Sequence, residues 1–452
     1  MTVEVKNDHI EEIRLLLEGG DEHAVSSFLS GLHASDIGRT LAGLAEEDAV
    51  KVFKLLSPEL ASEAVLEVDE RLRKALISSI SSEELIEVVD EMETDDAADV
   101  ISELPIEDAR QVLEGIGKED SLEVQKLLVY PEDTAGGKMQ AELVSVREDS
   151  TVQQTIEEVR RKSKDIENIS NVFVVDGSGR LAGTVALDKL ILAGPDVPIK
   201  EIAEREPVKV RTDVDQEEVA KIFQKYDLLT LPVVDHDGRL VGRITVDDVV
   251  DVIEEEIFED FYKMAGLNVE ERVLDPPSRS IWLRFPWLFV NLGTAFLAAS
   301  VVKVFQGTIE KLVVLAVLMP IVAGMGGNAA TQAITVVVRG LALGELSLKN
   351  ARRVLAKESL VGLANGLMTG GIAAGIAYIV GIKPAVGLLL FIAMTANLLI
   401  AGLSGALIPL VLKWMKVDPA ISSSIFVTTC TDIGGFFTFL GLATVFMKAG
   451  IL

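Results

Sequence analysis

An acidic residue lies in the middle of an apolar stretch near the C-terminus of this chain. Asp432 stands in the run from Ile425 to Phe446, which is long and apolar enough to cross a bilayer as a helix. An ionised carboxylate at that depth costs at least about 2.5 to 3.5 kcal/mol, so such residues usually face a wet cavity or an ion path. A protonated or hydrogen-bonded structural Asp is the alternative. The position predicts that the C-terminal half moves a cation.

The first half of the chain carries acidic residues at spacings that suit a hard cation. Asp95 and Asp99 are four residues apart and would share one face of a helix. Like charges at such spacings destabilise a helix, so bound cations would stabilise it. Carboxylates with water suit Mg²⁺ or Ca²⁺, whereas a solvated acidic face is the alternative interpretation. Two further acidic clusters are Asp213, Asp215, Glu217, Glu218 and Asp227, and then Asp247, Asp248, Asp251, Glu254, Glu255, Glu256, Glu259 and Asp260.

Charge is divided unevenly along the 452 residues. From Pro277 onward there are 13 Lys and Arg against 5 Asp and Glu, whereas the whole chain has 42 against 70. The first half is therefore strongly acidic, which attracts divalent cations and argues against nucleic acid as a partner. The single cysteine, Cys430, excludes a disulfide within the chain.

Five apolar stretches predict an α-helical membrane domain with five spans over residues 277–452. The N-terminus has no signal-peptide pattern, so we expect it in the cytoplasm and the C-terminus outside the cell membrane. Lys and Arg then concentrate in the internal connections, as the positive-inside rule requires. An odd number of spans favours a pore shared by two subunits. The predicted spans are Trp282 to Phe305, Leu312 to Val338, Ser359 to Val380, Ala385 to Leu412 and Ala420 to Met447.

Residues 138–260 contain an internal duplication, because the run from Val174 to Gly183 recurs from Val233 to Gly242. Each copy predicts a strand, a helix, a β-hairpin closed by Ser-Gly or Asp-Gly, and a second helix. The pattern resembles an α/β tandem pair of CBS domains, modules that often bind adenine nucleotides. The signature Gly-x-Ile-Thr-x-x-Asp is complete only in the second copy. The resemblance therefore implies one ATP per chain, held there by Thr245 and Asp248.

Residues 1–130 are almost free of strand signals and predict an acidic, all-helical domain of superhelical form. Helix starts are expected near Ser57, Ser81, Thr94 and Pro105, where capping residues precede acids. A connecting helix is predicted over residues 247–276, between the CBS pair and the first span.

The second predicted span is interrupted by proline and clustered glycines. In the run from Met319 to Asn328 these residues predict a helix broken or thinned at membrane depth, with carbonyl groups lining a wet cavity. Asn328 could add a side-chain oxygen there, while close packing on the glycines is the alternative. In the last connection, Asp418 is expected first as a helix cap.

Together these features resemble the MgtE family of magnesium channels. Two motifs of the membrane half carry this resemblance, namely Met-Pro-x5-Gly-Gly-Asn at 319–328 and Val-Asp-Pro-Ala at 417–420, ahead of Asp432. The helical N-domain, the CBS pair and the connecting helix precede them in the family's order, so the resemblance covers the whole chain. The resemblance implies a homodimer whose pore lies between subunits, with Asp432 holding hydrated Mg²⁺ and Asn328 nearby. Ser424, where an Asn is expected, and Thr331, in place of a second amide, depart from the family pattern.

The resemblance also implies that cytosolic Mg²⁺ closes the channel by bridging the N-domain, the CBS pair and the connecting, or plug, helix. A channel for Mn²⁺, Co²⁺ or Ca²⁺ remains an alternative, because the scarcity of Cys and His argues only against softer metals. An intramembrane hydrolase would need a second carboxylate or a metal triad, and a nucleotide sensor with an anchor would not need five spans. We therefore expect no enzyme. The implied sensing positions are Asp95, Asp99, Gly137, Asp215, Glu217, Asp227, Asp248, Asp251, Glu256, Glu259 and Asp260.

Overall fold

The computed structural model describes residues 8–164, 166, 168–273, 275–421 and 423–452. It contains two compact units, of which one ends at Ile253 and the other begins at Glu254. The boundary falls inside a single helix, α15, which runs from Val246 to Ala265.

Ten short helices fill the chain from Asp8 to Leu127, which confirms the all-helical N-domain. The predicted start at Ser81 carries a full capping box, because its hydroxyl accepts from the Glu84 N–H while the Glu84 carboxylate accepts from the Ser81 N–H. Buried apolar residues of successive helices form a continuous core. The helices are α1 Asp8–Glu18, α2 Glu22–Leu29, α3 Ala34–Gly43, α4 Glu46–Phe53, α5 Pro58–Leu66, α6 Glu70–Ile77, α7 Ser82–Asp90, α8 Thr94–Ser102, α9 Ile106–Gly115 and α10 Lys118–Leu127.

The duplicated region forms two small sheets, with strand orders β1-β2-β3-β4 and β5-β6-β7. In each copy a parallel strand pair is followed by an antiparallel hairpin, as the repeat predicts. The elements are β1 Ser145–Arg147, α11 Val152–Lys162, β2 Asn171–Val175, β3 Leu181–Ala186, α12 Leu187–Leu192, α13 Ile199–Ile202 and β4 Glu204–Arg205, then β5 Val210–Arg211, α14 Gln216–Tyr226, β6 Thr230–Val234 and β7 Leu240–Thr245, before α15.

The two hairpin turns join the copies to each other. Gly179 and Gly238 end the turns at φ +81° and +79°, a conformation that side chains with a Cβ rarely adopt. The Leu181 N–H donates to the Gly238 carbonyl and the Leu240 N–H to the Gly179 carbonyl, both at 3.1 Å. Equivalent turns of the two copies therefore contact each other symmetrically, through the same pair of hydrogen bonds.

The second unit contains five helices long and apolar enough to span a membrane, which confirms the predicted architecture for the described residues. The spanning helices pack mainly around α20, which carries much of the buried surface. They are α16 Pro277–Val304, α18 Val314–Ala342, α19 Ala351–Ile379, α20 Pro384–Trp414 and α21 Ser423–Lys448, with the short α17 Gln306–Lys311 between the first two.

The expected break in the second span is wrong, because α18 runs without interruption through Pro320 and the glycines. Pro320 lies inside α18 and removes one backbone hydrogen bond there, which membrane-spanning helices tolerate. Gly326 serves close packing instead. A Cβ there would lie 2.2 Å from Asn397 Nδ2 on α20 and 3.2 Å from the Cβ of Thr431 on α21.

Candidate metal centre and ion path

Three carboxylates meet at the start of α8. Oxygens of Glu93, Asp95 and Asp96 lie within 4.8 Å of one another. The unpaired N–H groups at a helix N-terminus favour acids in this position. Asp95 is only 7% exposed, and its Oδ1 has no hydrogen-bond partner among the residues that the structure describes. A buried, unpartnered carboxylate oxygen fits a cation ligand.

Burial and mutual repulsion oppose ionisation of this cluster. Burial and then the charge of Asp248 raise the pKa of Glu93 to about 7, and the same two causes raise the pKa of Asp96 to about 7. Burial, followed by repulsion from Asp96, raises the pKa of Asp95 well above its usual range. Burial also raises the pKa of Asp248, at the start of α15. Without a cation, the cluster therefore holds protons near neutral pH.

The segment after the N-domain holds α8 against the second CBS copy. Gln140 Nε2 donates to Glu93 Oε2 at 2.7 Å and to Asp248 Oδ2 at 3.2 Å. The Thr94 N–H and hydroxyl donate to the Glu142 carboxylate at 3.2 and 2.7 Å. One amide thus lies between carboxylates of the N-domain and the CBS pair, close to the place where a bridging cation would act.

The structure brings together part of the predicted sensing set. Asp95 belongs to the cluster, and Asp248 lies near it, since the charge of Asp248 contributes to the raised pKa of Asp95. Asp99 and Asp251 lie at its edge, where Asp99 contributes to the raised pKa of Asp96 and Asp251 to that of Asp248.

Other predicted sensing residues have local partners. The Asp215 carboxylate caps α14 by accepting from the Glu217 N–H at 2.9 Å, and Glu217 Oε1 lies 2.8 Å from Lys221 Nζ. Asp227 ends α14 in the left-handed conformation. A Cβ on Gly137 would lie 2.3 Å from the Pro131 carbonyl oxygen, so this position requires glycine.

The three acids further along α15 are half-buried. Glu259 forms a salt bridge with Lys263 one turn later. Glu256 and Asp260 lie on the same helix.

Metal-free protein is expected to lose stability as pH rises from about 4.5 to about 7. The pKa of Glu93 rises from 4.5 to about 7 on folding, so the folded protein keeps a proton that the unfolded chain has released in this window. The contribution is fully present below about pH 4.5 and is lost as pH rises through 7. Thermal unfolding of the full chain in detergent and chelator at pH 5.0 and 7.5 measures it. Mg²⁺ or Glu93→Gln should reduce the decline, and an equal decline in all three samples would contradict this pKa.

Asp432 and Asn328 lie on the two packed helices α21 and α18. Asp432 is half-buried, and Asn328 is exposed on the surface of the single chain. Next to Asn328, a Cβ on Gly327 would lie 3.8 Å from Thr428 Cγ2 of α21, so this stretch of α18 faces α21. The two polar side chains therefore belong to one helix pair.

Asn397 is a buried polar residue that the sequence analysis missed. It is fully buried, and its Nδ2 donates to the Val322 carbonyl of α18 at 2.8 Å. A Cβ on Gly435, one turn after Asp432, would lie 2.7 Å from Asn397 Nδ2. The amide therefore fixes α18 and α21 to α20 beside Asp432. A single Asn within an otherwise apolar span was the available signal.

Glu358 was also missed, because the third span was predicted to begin at Ser359. The helix begins at Ala351, so this acid lies inside α19, where it is 5% exposed. Its Oε1 lies 2.9 Å from Lys357 Nζ.

The predicted nucleotide residues are hydrogen-bonded to each other. Thr245 is buried and its hydroxyl donates to Asp248 Oδ2 at 2.6 Å. A ribose would have to take over that bond. A cavity of about 620 Å³ lies in the first CBS copy instead, beside the strand residues Val174 and Ala182. Two basic and two acidic residues border it, namely Lys200, Arg205, Glu148 and Glu206.

Comparison with known proteins covers most of the chain. Residues 319–442 match the MgtE divalent cation transporters, residues 32–133 the MgtE intracellular N domain, and residues 136–196 and 199–255 the CBS domain. The magnesium transporter MgtE of Enterococcus faecalis is 35% identical over 446 residues, which cover 97% of this chain and 98% of the relative. That of Thermus thermophilus is 40% identical over 333 residues, which cover 72% and 73%.

One of the solved structures that match this chain covers its soluble half. It is the cytosolic domain of the Mg²⁺ channel MgtE in complex with ATP, which is 36% identical, covers 54% of this chain and 99% of that chain, and superposes with a TM-score of 0.51.

Proposed function

We propose, since the chain belongs to the MgtE family, that it is a Mg²⁺-selective channel that mediates Mg²⁺ uptake and is not an enzyme. The observation that carries the proposal is the half-buried Asp432 on α21, in a unit of five membrane-spanning helices. Mg²⁺ gives up its water reluctantly, so a single carboxylate can select it through a retained hydration shell.

The path is proposed to lie between two copies of the chain in the lipid bilayer, with the N-terminus in the cytoplasm and the C-terminus outside. Support comes from the helix pair that carries Asp432 and Asn328, because both side chains reach the surface of the single chain. Two facing carboxylates would hold one hydrated dication with matched charge.

Closure is proposed to follow binding of cytosolic Mg²⁺ between the N-domain, residues 1–130, the CBS pair, residues 138–260, and the connecting helix. That helix was predicted over residues 247–276, but in the structure it is α15 and ends at Ala265. The buried cluster at the start of α8 supports this role, because its carboxylates repel one another unless protons or a cation neutralise them. Mg²⁺ would displace those protons and draw α8 and Asp248 together. Asp248 lies on α15, which leads toward the membrane domain, residues 277–452, so binding would shift the population of the closed state.

ATP is proposed as a regulatory ligand of the CBS pair. In the second copy, Thr245 and Asp248 supply a hydroxyl and a carboxylate, and ATP there would compete with the contacts that Asp248 makes to Gln140. The cavity of the first copy is a second candidate location because of its volume. Lys200 and Arg205 favour phosphate groups there, whereas the acids Glu148 and Glu206, which also line the cavity, oppose them.

Flux of divalent cations through liposomes containing the purified protein tests the proposed function. We expect Mg²⁺ to enter, and Ca²⁺, Mn²⁺ and Co²⁺ to enter at least about tenfold more slowly, because these ions exchange their waters more readily and bind carboxylates directly. Protein-free liposomes are the control. Faster entry of Mn²⁺, Co²⁺ or Ca²⁺ would support the alternative of another divalent channel, and no flux of any ion would contradict both.

A further inference from the structure

The last turn of α15 is attached to the connection between α20 and α21 by a lysine. Lys263 Nζ lies 2.6 Å from Asp418 Oδ2 and forms a second salt bridge with Glu259. The side chains of Lys263 and Asp418 are 26% and 29% exposed, so solvent screens this pair only in part. One ammonium group thus compensates two carboxylates from two elements.

Asp418 is held in place for this contact. Its Oδ1 accepts from the Ala420 N–H at 2.8 Å, and its other oxygen faces Lys263. The predicted role as a helix cap is wrong, because α21 begins only at Ser423 and Asp418 lies in the turn before it. Both oxygens of the carboxylate therefore have donors. Its orientation is set by the turn before α21 and does not depend on the lysine alone.

Neighbouring contacts attach the same helix end to the start of α21. The Ser424 hydroxyl donates to the Met264 carbonyl at 2.5 Å. The Met264 side chain packs against buried residues of α18, α20 and α21, including Ile334 and Val427. Ser424, which departs from the family pattern, is thus a hydrogen-bond donor to the end of α15.

We propose that Lys263 is a positioning residue of the gate, which holds the end of α15 on the connection before α21 by bridging Glu259 and Asp418. The inference rests on the proposed function, in which docking of this helix closes the path. Lys263 supplies at this point the charge that a divalent cation would otherwise have to supply. Because the salt bridges of Lys263 already favour the closed state, Mg²⁺ binding has to supply less free energy for closure. Lys263 therefore lowers the cytosolic Mg²⁺ concentration at which the channel shuts.

The charges around Lys263 predict in which direction its loss changes the Mg²⁺ requirement for closure. Without the ammonium group, Glu259 and Asp418 repel each other and the helix end detaches more readily. More Mg²⁺ is then needed to keep the channel closed. An arginine keeps the charge and can bridge both carboxylates, so Lys263→Arg should retain most of the effect.

The proposal is tested by recording current through inside-out membrane patches while the Mg²⁺ concentration on the cytosolic face is varied. Lys263→Met should raise the Mg²⁺ concentration for half-closure about fivefold, which corresponds to about 1 kcal/mol, whereas Lys263→Arg should stay near the unmodified protein. Lys413→Met is the matched control, because Lys413 is an exposed lysine near the same connection and makes no salt bridge within the described part of the chain. Equal shifts for Lys263→Met and Lys413→Met, or no shift for Lys263→Met, would overturn the proposal.

A double-mutant cycle keeps the test decisive if Lys263→Met is poorly folded. Asp418→Asn alone should also raise the Mg²⁺ requirement, and adding it to Lys263→Met should raise the requirement by less than the two single effects combined. Independent, additive shifts would overturn the bridge. If the unmodified protein conducts Mg²⁺ but never closes with Mg²⁺, the proposed regulation fails, and that result is distinct from failure of the lysine's role.

Discussion

Replacement of Asp432 by Ala is expected to abolish Mg²⁺ flux while the protein remains folded. The substitution deletes the carboxylate that would hold a dication at mid-membrane, where no bulk water compensates for its loss. Asp432→Asn should be nearly as damaging, because a neutral amide keeps the size of the side chain but not its charge. Flux of Mg²⁺ into liposomes, with size-exclusion profiles as a measure of folding, checks both variants.

Glu358→Gln is the matched control for Asp432. It also removes a carboxylate from a spanning helix, but its charge is paired with Lys357 on α19 and has no role in the proposed path. This variant should conduct. Undiminished flux through Asp432→Ala, or equal losses in the Asp432 and Glu358 variants, would contradict the assignment of Asp432 to the path.

Local patterns in the sequence were sufficient to predict the elements of the fold. The capping box at Ser81 and the glycine turns at Gly179 and Gly238 lie within a few residues of the structure that they specify. The five spans follow from length and apolar composition. One exception is α18, where proline and glycine suggest a break locally but the packing of α20 and α21 favours a continuous helix. Element ends are another, because α19 begins at Ala351 and α15 ends at Ala265, away from the predicted bounds.

The contacts that build the candidate sites could not be predicted in the same way. Gln140 reaches Glu93 across 47 positions, and Asn397 reaches Val322 across 75. No local sequence pattern marks such pairs, because the tertiary fold brings together residues that are far apart along the chain. The acids Asp95 and Asp99 were noticed by their spacing, whereas Glu93 and Asp96 gain significance only from burial beside Asp248.

Neutralising Asp95 together with Asp99 should leave a channel that conducts but no longer closes at high cytosolic Mg²⁺. Two opposed effects decide whether this variant closes more or less readily than the unmodified channel. Removing charge relieves repulsion, which favours closure, but it also removes ligands for the bridging ion, which opposes closure. Burial raises the pKa of Asp95 well above its usual range, so the folded protein favours the protonated form of Asp95 without metal. Asn at this position therefore relieves less repulsion than the removal of an ordinary carboxylate would. Loss of the ligands therefore dominates.

In Asp95→Asn with Asp99→Asn, closure should be lost over the Mg²⁺ range that shuts the unmodified channel. This corresponds to a rise of at least about tenfold in the Mg²⁺ concentration for half-closure, or about 1.4 kcal/mol. Deletion of residues 1–130 should remove closure by Mg²⁺ altogether while flux persists. Glu107→Gln with Asp108→Asn is the matched control, because these two acids lie exposed in the first turn of the next helix, α9. Mg²⁺ dependence of the current in excised patches distinguishes the outcomes. If the truncated channel keeps the Mg²⁺ dependence of the full chain, the buried cluster at the start of α8 is no sensor, since a cation held there acts only by bridging the N-domain to Asp248.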